Sequence, residues 1–308
     1  MTWAPTRSMR ELHARYWKNG DSMMTHITFV ANNFEPGIRR SMDSGLAGGR
    51  TSHRTFAVVC ALLFATSAAL TIVWCGPMPA MGGMPMTGGW TMSMMWMPMP
   101  GQTWPAAAGS FAVMWTVMMV AMMLPSLAPM LWRYRHAIGR AGETRLGRLT
   151  SLVGMAYFLV WTVFGMVVYP AGVALAAVEM RHGALAGAVP TVAGMVVLMA
   201  GAFQFSSSKA HHLECCGEAP GRGRMLPADA ATAWRLGLRM GLHCSYGCAG
   251  LTAILLVAGI MDLRAMAVIT VAITAERVAP AGERVARAIG AIAAGAGLFL
   301  IARAVGLA

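Results

Sequence analysis

The stretch HHLECC, residues 211–216, places two histidines and two cysteines within six positions of a strongly apolar chain. His212 and Cys216 are four residues apart. Cys244 and Cys248 have the same spacing, which puts each pair on one face of a helix and lets it chelate a metal ion. If the two pairs face each other, they form one metal site with the ligands His212, Cys216, Cys244 and Cys248.

Three further donors lie next to this set. Cys215, His211 and His243 are candidates for additional ligands or for groups that support the ligands. Thiolate and imidazole donors suit Cu(I), and also Zn(II) or an iron–sulfur centre. Cysteines in membrane helices also occur as small apolar residues, and histidines near an interface are often only solvated. The paired helical spacing is therefore the observation that favours metal binding.

A second group of soft donors precedes the second apolar run. Residues 75–104 contain nine methionines among repeated prolines and glycines. Thioether sulfur is a neutral ligand that needs no deprotonation, so clustered methionine favours Cu(I) over zinc. The alternative is a flexible apolar loop that dips into the membrane surface, with Trp90, Trp96 and Trp104 as anchors. The candidate ligands of the loop are Met94, Met95, Met97 and Met99.

The run that follows carries a methionine stripe. Met114, Met118 and Met122 recur every four residues, which aligns them on one helical face. Met119 and Met123 lie beside them. A stripe of this kind also serves ordinary packing, but its position directly after the methionine-rich loop favours a metal route.

The composition is that of an integral membrane protein. Hydrophobic residues make up 57% of the chain and charged residues 12%, and the mean hydropathy is +0.57. Runs of about 18 to 25 apolar residues suffice to cross a bilayer as helices. The sixth run is short and the seventh is rich in Ala and Gly, so six spans plus a peripheral helix is the alternative to seven. The sequence thus predicts an all-α, polytopic bundle with spans near 56–74, 106–131, 150–178, 185–205, 241–261, 264–279 and 288–306.

Charge placement orients this bundle. With the N-terminus in the cytoplasm, 21 of the 24 Lys and Arg residues fall on the cytoplasmic side. The net charge of +12 then reflects topology, and no nucleic-acid partner is expected. Residues 1–55 are expected to form a disordered cytoplasmic tail and 56–308 the bundle, with loop 75–104 external and loop 206–240 cytoplasmic. The fourth span is expected to continue as one helix through the Cys/His stretch to Gly217.

The spans contain few ionisable or strongly polar residues, and ordinary structural roles explain them. Glu276 and Arg277 are expected to pair at the membrane interface at the end of the sixth run. Gln204 is expected either to face the bundle interior or simply to join two helices by a hydrogen bond.

Three sets of residues match the motifs of a known protein family. The first motif, W-x-x-M-x-x-A-M-M-x-P, matches Trp115, Met118, Ala121, Met122, Met123 and Pro125. The second, K-x-x-C-L-x-x-C, matches Lys209, His212, Leu213 and Cys216, with His212 in place of the first cysteine. The later matches are Gly241, Leu242, Cys244, Glu276 and Pro280, while Cys248 replaces the second member of an adjacent Cys-Cys pair. With these motifs the chain resembles the bacterial predicted metal-binding integral membrane protein family.

The resemblance covers about residues 56–290 and implies metal handling, with copper as the expected metal, in a bacterial inner membrane. Three functions remain open. The chain captures Cu(I) on the external loop and passes it to the inner Cys/His site, or it is an accessory subunit that delivers copper to a membrane metalloenzyme. The third is a redox protein that uses the Cys/His site. Expected partners are the bilayer, the metal ion, and a copper-dependent membrane enzyme or copper chaperone. Against an enzyme, the sequence contains no Ser/His/Asp set, phosphate loop, zinc-protease motif, paired intramembrane carboxylates or dinucleotide fingerprint.

Overall fold

The computed structural model describes residues 36–76, 84–86, 90–92, 96, 101–138, 143–217 and 227–307. These residues are helical apart from turns and one short hairpin, in which β1 (Met84–Met86) pairs antiparallel with β2 (Trp90–Met92). The all-α prediction is confirmed. The helices are α1 (Pro36–Cys75), α2 (Trp104–Ile138), α3 (Glu143–Arg181), α4 (Gly183–Phe203), α5 (Ser207–Gly217), α6 (Ala230–Ala258), α7 (Leu263–Val278) and α8 (Gly282–Ala304).

The chain divides into two units, Met1–Val58 and Val59–Ala308. In the first unit, α1 begins at Pro36, inside the segment for which the sequence predicts a disordered tail. Proline suits a first helical position because the N–H that it lacks would have no partner within the helix. Residues 1–35 of the predicted tail lie outside the described residues. The second unit contains the bundle.

Six helices are long and apolar enough to cross a membrane: α1 from Arg54, α2, α3 from Thr144, α4 from Ala186, α6 and α8. Large apolar side chains cover their outer surface, with Ile292 74% and Met199 72% exposed. A surface of this kind is suited to lipid. The 16 residues of α7 extend about 24 Å, less than the ~30 Å hydrocarbon core. Nevertheless α7 packs into the bundle, with Ile273 and Glu276 buried.

The predicted continuous helix through the Cys/His stretch is wrong. Helix α4 ends at Phe203, and a turn over 204–206 separates it from α5. The Gln204 N–H bonds the Gly201 carbonyl, which tightens the last turn, and the Ser206 hydroxyl accepts from the Lys209 N–H at 3.2 Å. Serine competes for backbone hydrogen bonds in this way and favours a new helix start over continuation. The predicted end at Gly217 is confirmed.

Aspartate caps fix the starts of α6 and α7. The Asp229 carboxylate accepts from the Thr232 N–H at 2.8 Å, and Asp262 accepts from Arg264 and Ala265. The hydrogen bond from the Thr232 backbone is the main cause that lowers the pKa of Asp229 below its ordinary value. These caps set where the two helices that hold Cys244, Cys248 and Glu276 begin.

Glycines with heptad spacing join α4 to α8. Gly194 and Gly201 lie on α4, and Gly290 and Gly297 lie on α8. A Cβ added at Gly297 would approach the backbone N of Leu198 to 2.5 Å and the carbonyl of Gly194 to 2.9 Å. Small residues of this kind let helix backbones approach closely. In lipid the hydrophobic effect does not drive helices together, so close packing of this kind is what stabilises their association.

We expect Gly297→Ala to lower the free energy of unfolding by about 1–3 kcal/mol, because its Cβ would overlap backbone atoms that cannot move aside. The matched control is Gly295→Ala on the same helix, where an added Cβ meets nothing within 4 Å. Denaturation of the detergent-solubilised chain, followed by circular dichroism, compares the two. Equal stability of both variants would contradict the close α4–α8 contact.

Candidate metal centre

Three sulfur atoms meet in the interior of the bundle. The Cys244 Sγ lies 4.0 Å from the Cys248 Sγ on α6, and 4.0 Å from the Met123 Sδ on α2. All three side chains are buried, with 0%, 2% and 0% exposure for Cys244, Cys248 and Met123. The i, i+4 spacing of the two cysteines therefore gives the proximity that the sequence predicts, and α2 adds a thioether.

The two separations fit a metal ion bound by sulfur. With metal–sulfur bonds of about 2.3 Å, sulfurs 4.0 Å apart subtend an angle of about 120° at the ion. For each of the two pairs that include Cys244, that angle is compatible with trigonal coordination. Two thiolates and a thioether form a soft donor set of the kind that selects Cu(I).

The Tyr157 side chain on α3 completes the surroundings of the sulfurs. Its hydroxyl donates to the Cys244 Sγ at 2.8 Å, and the ring is fully buried. Gly237 and Gly241 on α6 let α3 come close enough for this contact, because a Cβ at either position would collide with α3. A hydroxyl that donates to a metal-bound thiolate partly neutralises the thiolate charge.

The methionine stripe leads along α2 to this centre. Met118, Met119, Met122 and Met123 are all at most 3% exposed, and Met114 is half-buried. Met123 is the member of the stripe whose sulfur meets Cys244. The sequence predicts the stripe and the cysteine pair separately, and the structure brings one end of the stripe to the pair.

The predicted histidine ligands lie in a neighbouring contact. The His212 Nδ1 on α5 is 3.2 Å from the His243 Nδ1 on α6, and the ring centroids of His211 and His212 are 5.8 Å apart. Among the described residues, no group of three or more His, Cys, Asp or Glu side chains is arranged to hold one metal ion. The side chains of Cys215 and Cys216 lie outside the described residues.

Part of the methionine-rich loop is described. Met94, Met95, Met97 and Met99 lie outside the described residues. Trp96 packs against Phe111, with ring centroids 6.0 Å apart, and Phe111 in turn packs against Tyr169 at 4.7 Å. Next to the loop, the Cys75 thiol donates to the Met261 Sδ at 3.4 Å. Trp96 thus packs at the end of the α2–α3 pair from which the stripe starts.

A buried ion pair contacts Gly247, the residue that precedes Cys248. The Lys209 Nζ is 2.7 Å from the Glu276 Oε2, and both side chains are 1% exposed. The same ammonium donates to the Gly247 carbonyl, and the Gln204 Nε2 donates to the Glu276 Oε1 at 2.9 Å. This network joins the α4–α5 turn, α5, α6 and α7, and its positive end is directed toward the helix that carries the cysteines.

The structure shows a partner for Glu276 other than the predicted Arg277: its carboxylate is buried and pairs with Lys209. Sequence reasoning also missed roles for Tyr157 and Lys209. Lys209 carried a signal: a charge inside an apolar chain is costly unless it is paired, so it calls for an acid elsewhere in the bundle. Tyr157 carried no comparable local signal.

A cavity of about 310 Å³ opens beside the ion pair, on the side of α8. Its lining includes Gln204, Ser206, Lys209, Glu283 and Arg287 but neither cysteine. The cavity is therefore separate from the sulfur atoms, and it offers a polar approach to the Lys209 network.

Comparisons with known proteins give one match. Residues 112–300, more than half of the chain, match the family model described as PpoB2, copper chaperone. No curated protein and no solved structure matches the chain. The matched region contains Met123, Cys244 and Cys248, whose sulfur atoms form the sulfur cluster. It also contains Tyr157, Lys209 and Glu276.

We expect Lys209→Met to lower the free energy of unfolding by about 3–5 kcal/mol, because it leaves a buried carboxylate without its partner. Lys209→Met combined with Glu276→Gln removes both charges and is expected to recover most of that loss. The matched control is Arg287→Met, which breaks the exposed Arg287–Glu283 pair and costs about 0–1 kcal/mol. A double variant as unstable as the single one would contradict a direct pairing.

Proposed function

Because the chain belongs to the PpoB2 copper chaperone family, we propose that it carries Cu(I) as cargo within a membrane-spanning bundle. The ligands in this proposal are the sulfur atoms of Cys244, Cys248 and Met123. The observation that carries it is the pair of 4.0 Å separations centred on the Cys244 sulfur. A chaperone must hold its cargo tightly and still release it, and a three-coordinate ion leaves room for a sulfur atom of the recipient.

The donor set supports Cu(I) over the other metals that thiolates bind. Structural zinc takes four ligands, and iron–sulfur clusters are held mostly by four cysteines. The sulfur cluster offers two cysteines and one methionine among the described residues. A thioether remains a useful ligand for Cu(I), which is soft, and it is a poor ligand for zinc.

The methionine stripe supplies a route for the ion. In the proposed topology, the N-terminus is cytoplasmic and the methionine-rich loop lies outside a bacterial inner membrane. Cu(I) then moves from the neutral thioethers of loop 75–104 along Met114, Met118 and Met122 to Met123 and the two thiols. Thiolates bind Cu(I) more strongly than thioethers, so this direction is downhill. His212 and Cys216, which the sequence predicts as ligands, are proposed as further copper donors in addition to these three sulfur atoms.

The family description favours delivery of copper over storage. We propose a copper-dependent membrane enzyme as the recipient, reached by lateral contact within the bilayer. Exposed apolar helix faces, such as that of α8 with Ile292 and Phe299, suit such contacts as well as lipid. Simple uptake of copper is the competing function, and it would produce metal flux into vesicles that contain the chain alone.

We expect Cys244→Ser and Cys248→Ser each to weaken Cu(I) binding by more than the roughly 10–100-fold that loss of a supporting group costs. Met123→Leu is expected to weaken Cu(I) binding by about tenfold, because one neutral ligand is lost. Competition with a chromophoric Cu(I) chelator, together with copper X-ray absorption of the purified chain, measures affinity and ligand type. Cys60→Ser and Met199→Leu, away from the centre, are the controls. Unchanged sulfur coordination in the double cysteine variant would refute the site.

The Tyr157→Phe variant tests the hydroxyl contact separately. It keeps the buried ring but removes the donor to Cys244, so we expect Cu(I) affinity to fall about 10-fold while stability changes little. The same chelator competition provides the measurement, with thermal unfolding of the metal-free chain as the check on folding. An affinity equal to that of the parent chain would mean that the hydroxyl only fills space.

A further inference from the structure

Two imidazole rings lie side by side where α5 passes α6. The Nδ1 atoms of His212 and His243 are 3.2 Å apart, and the ring centroids are separated by 5.4 Å. Both side chains are half-buried, in contrast to the fully buried sulfur cluster. The pair is therefore accessible from the outer surface of the bundle, on the helix that carries the cysteines.

We propose that His212 and His243 form a second copper site, distinct from the sulfur cluster, at which the ion is handed between the surface and the buried thiols. The proposal rests on the proposed function, because it assigns the site a place in the same transfer. With metal–nitrogen bonds of about 2.0–2.1 Å, nitrogens 3.2 Å apart subtend about 100° at the ion. That angle is near tetrahedral and leaves coordination positions for incoming and outgoing ligands.

The metal-free geometry is compatible with this use. At 3.2 Å, one Nδ1 carries a proton and donates it to the other, since two lone pairs would repel. Cu(I) takes the place of that proton, which moves to the Nε2 of the same ring or to water. The pair thus exchanges a hydrogen bond for two metal–nitrogen bonds without rearrangement of either helix.

The surroundings hold the rings in place. The Tyr246 ring stacks on His212 with centroids 5.7 Å apart and an interplanar angle of 13°, and it is itself 61% exposed. The Gly247 backbone lies against His212, because a Cβ there would be 3.7 Å from the His212 Cβ. Gly247 also receives the Lys209 hydrogen bond. The backbone at Gly247 therefore helps to position the imidazole pair. It also helps to position Cys244 and Cys248, which precede and follow Gly247 on α6.

The transfer itself is a ligand exchange. Copper remains Cu(I), its bonds to the two nitrogens break as bonds to Cys244 and Cys248 form, and the two thiol protons pass to the freed imidazole nitrogens. His243 directly precedes Cys244 on α6, so the two donor sets adjoin along the chain. Imidazole is a weaker ligand for Cu(I) than thiolate, so the ion moves from the pair to the sulfur cluster and not the reverse when no recipient is present.

The test uses the full chain in lipid nanodiscs, titrated with Cu(I) under anaerobic conditions. We expect the parent chain to bind about two ions, one at each donor set, and His212→Gln or His243→Gln to bind about one, with sulfur coordination retained in the X-ray absorption spectrum. The parent spectrum is expected to show imidazole scattering that both variants lose. The matched control is His182→Gln, which changes an exposed histidine just before α4, and it should resemble the parent.

Two outcomes would overturn the proposal: imidazole scattering that persists in the His212→Gln/His243→Gln double variant, or a single sulfur-bound ion in the parent chain. Loading kinetics supply a second measurement, because loss of the pair should slow the appearance of sulfur-bound copper without changing its final affinity. Failure of the histidine variants to alter binding leaves the cysteine results intact. Failure of the cysteine variants to lose sulfur-bound copper is the result that counts against the proposed function.

Discussion

The structure depends on one buried charge pair. An ammonium and a carboxylate in the interior of a membrane-spanning bundle are each costly to desolvate, and neither can be left alone there. Lys209 and Glu276 meet this constraint together, and the Gly247 carbonyl and the Gln204 amide each add one hydrogen bond to the pair. Because these groups come from the α4–α5 turn and three helices, the pair fixes how those helices lie relative to one another. The position of α6, and of the two cysteines beside Gly247, follows from it.

Close backbone contacts then bring the remaining donors into range. Gly237 and Gly241 remove the side chains that would keep α3 away from α6, so the Tyr157 hydroxyl reaches Cys244. The glycines of α4 and α8 likewise let the backbones of those two helices approach closely. In lipid the driving force for such packing is contact between surfaces rather than exclusion of water, and small residues provide that contact. The contacts around the sulfur atoms of Cys244, Cys248 and Met123 thus depend on glycines as well as on the donor residues themselves.

The sequence predicted the parts of this architecture that are local. Apolar run length identified the spans, and i, i+4 spacing identified Cys244 and Cys248 as neighbours, since both depend only on helix geometry. The contact between Met123 and Cys244 joins residues 121 positions apart, and no periodicity within either helix specifies it.

The turn at Gln204–Ser206 was missed for a different reason. A run of serines is compatible with a helix, and the new start is set by a single hydroxyl that caps Lys209. The partner of Glu276 was missed because Lys209, 67 residues earlier, was not recognised as a buried cation. Pairing between distant charges is a tertiary property, and it decides whether a carboxylate at the end of a span is solvated or buried.

The placement of Cys244 and Cys248 on successive turns of one regular helix also governs their response to oxidants. Cβ atoms four residues apart on a helix are separated by about 5–6 Å, whereas a disulfide needs about 3.5–4.5 Å. Covalent closure would require this turn of α6 to unwind, against its packing on α2 and α3. The two thiols are therefore near enough to share an ion, while the regular helix disfavours a disulfide between them.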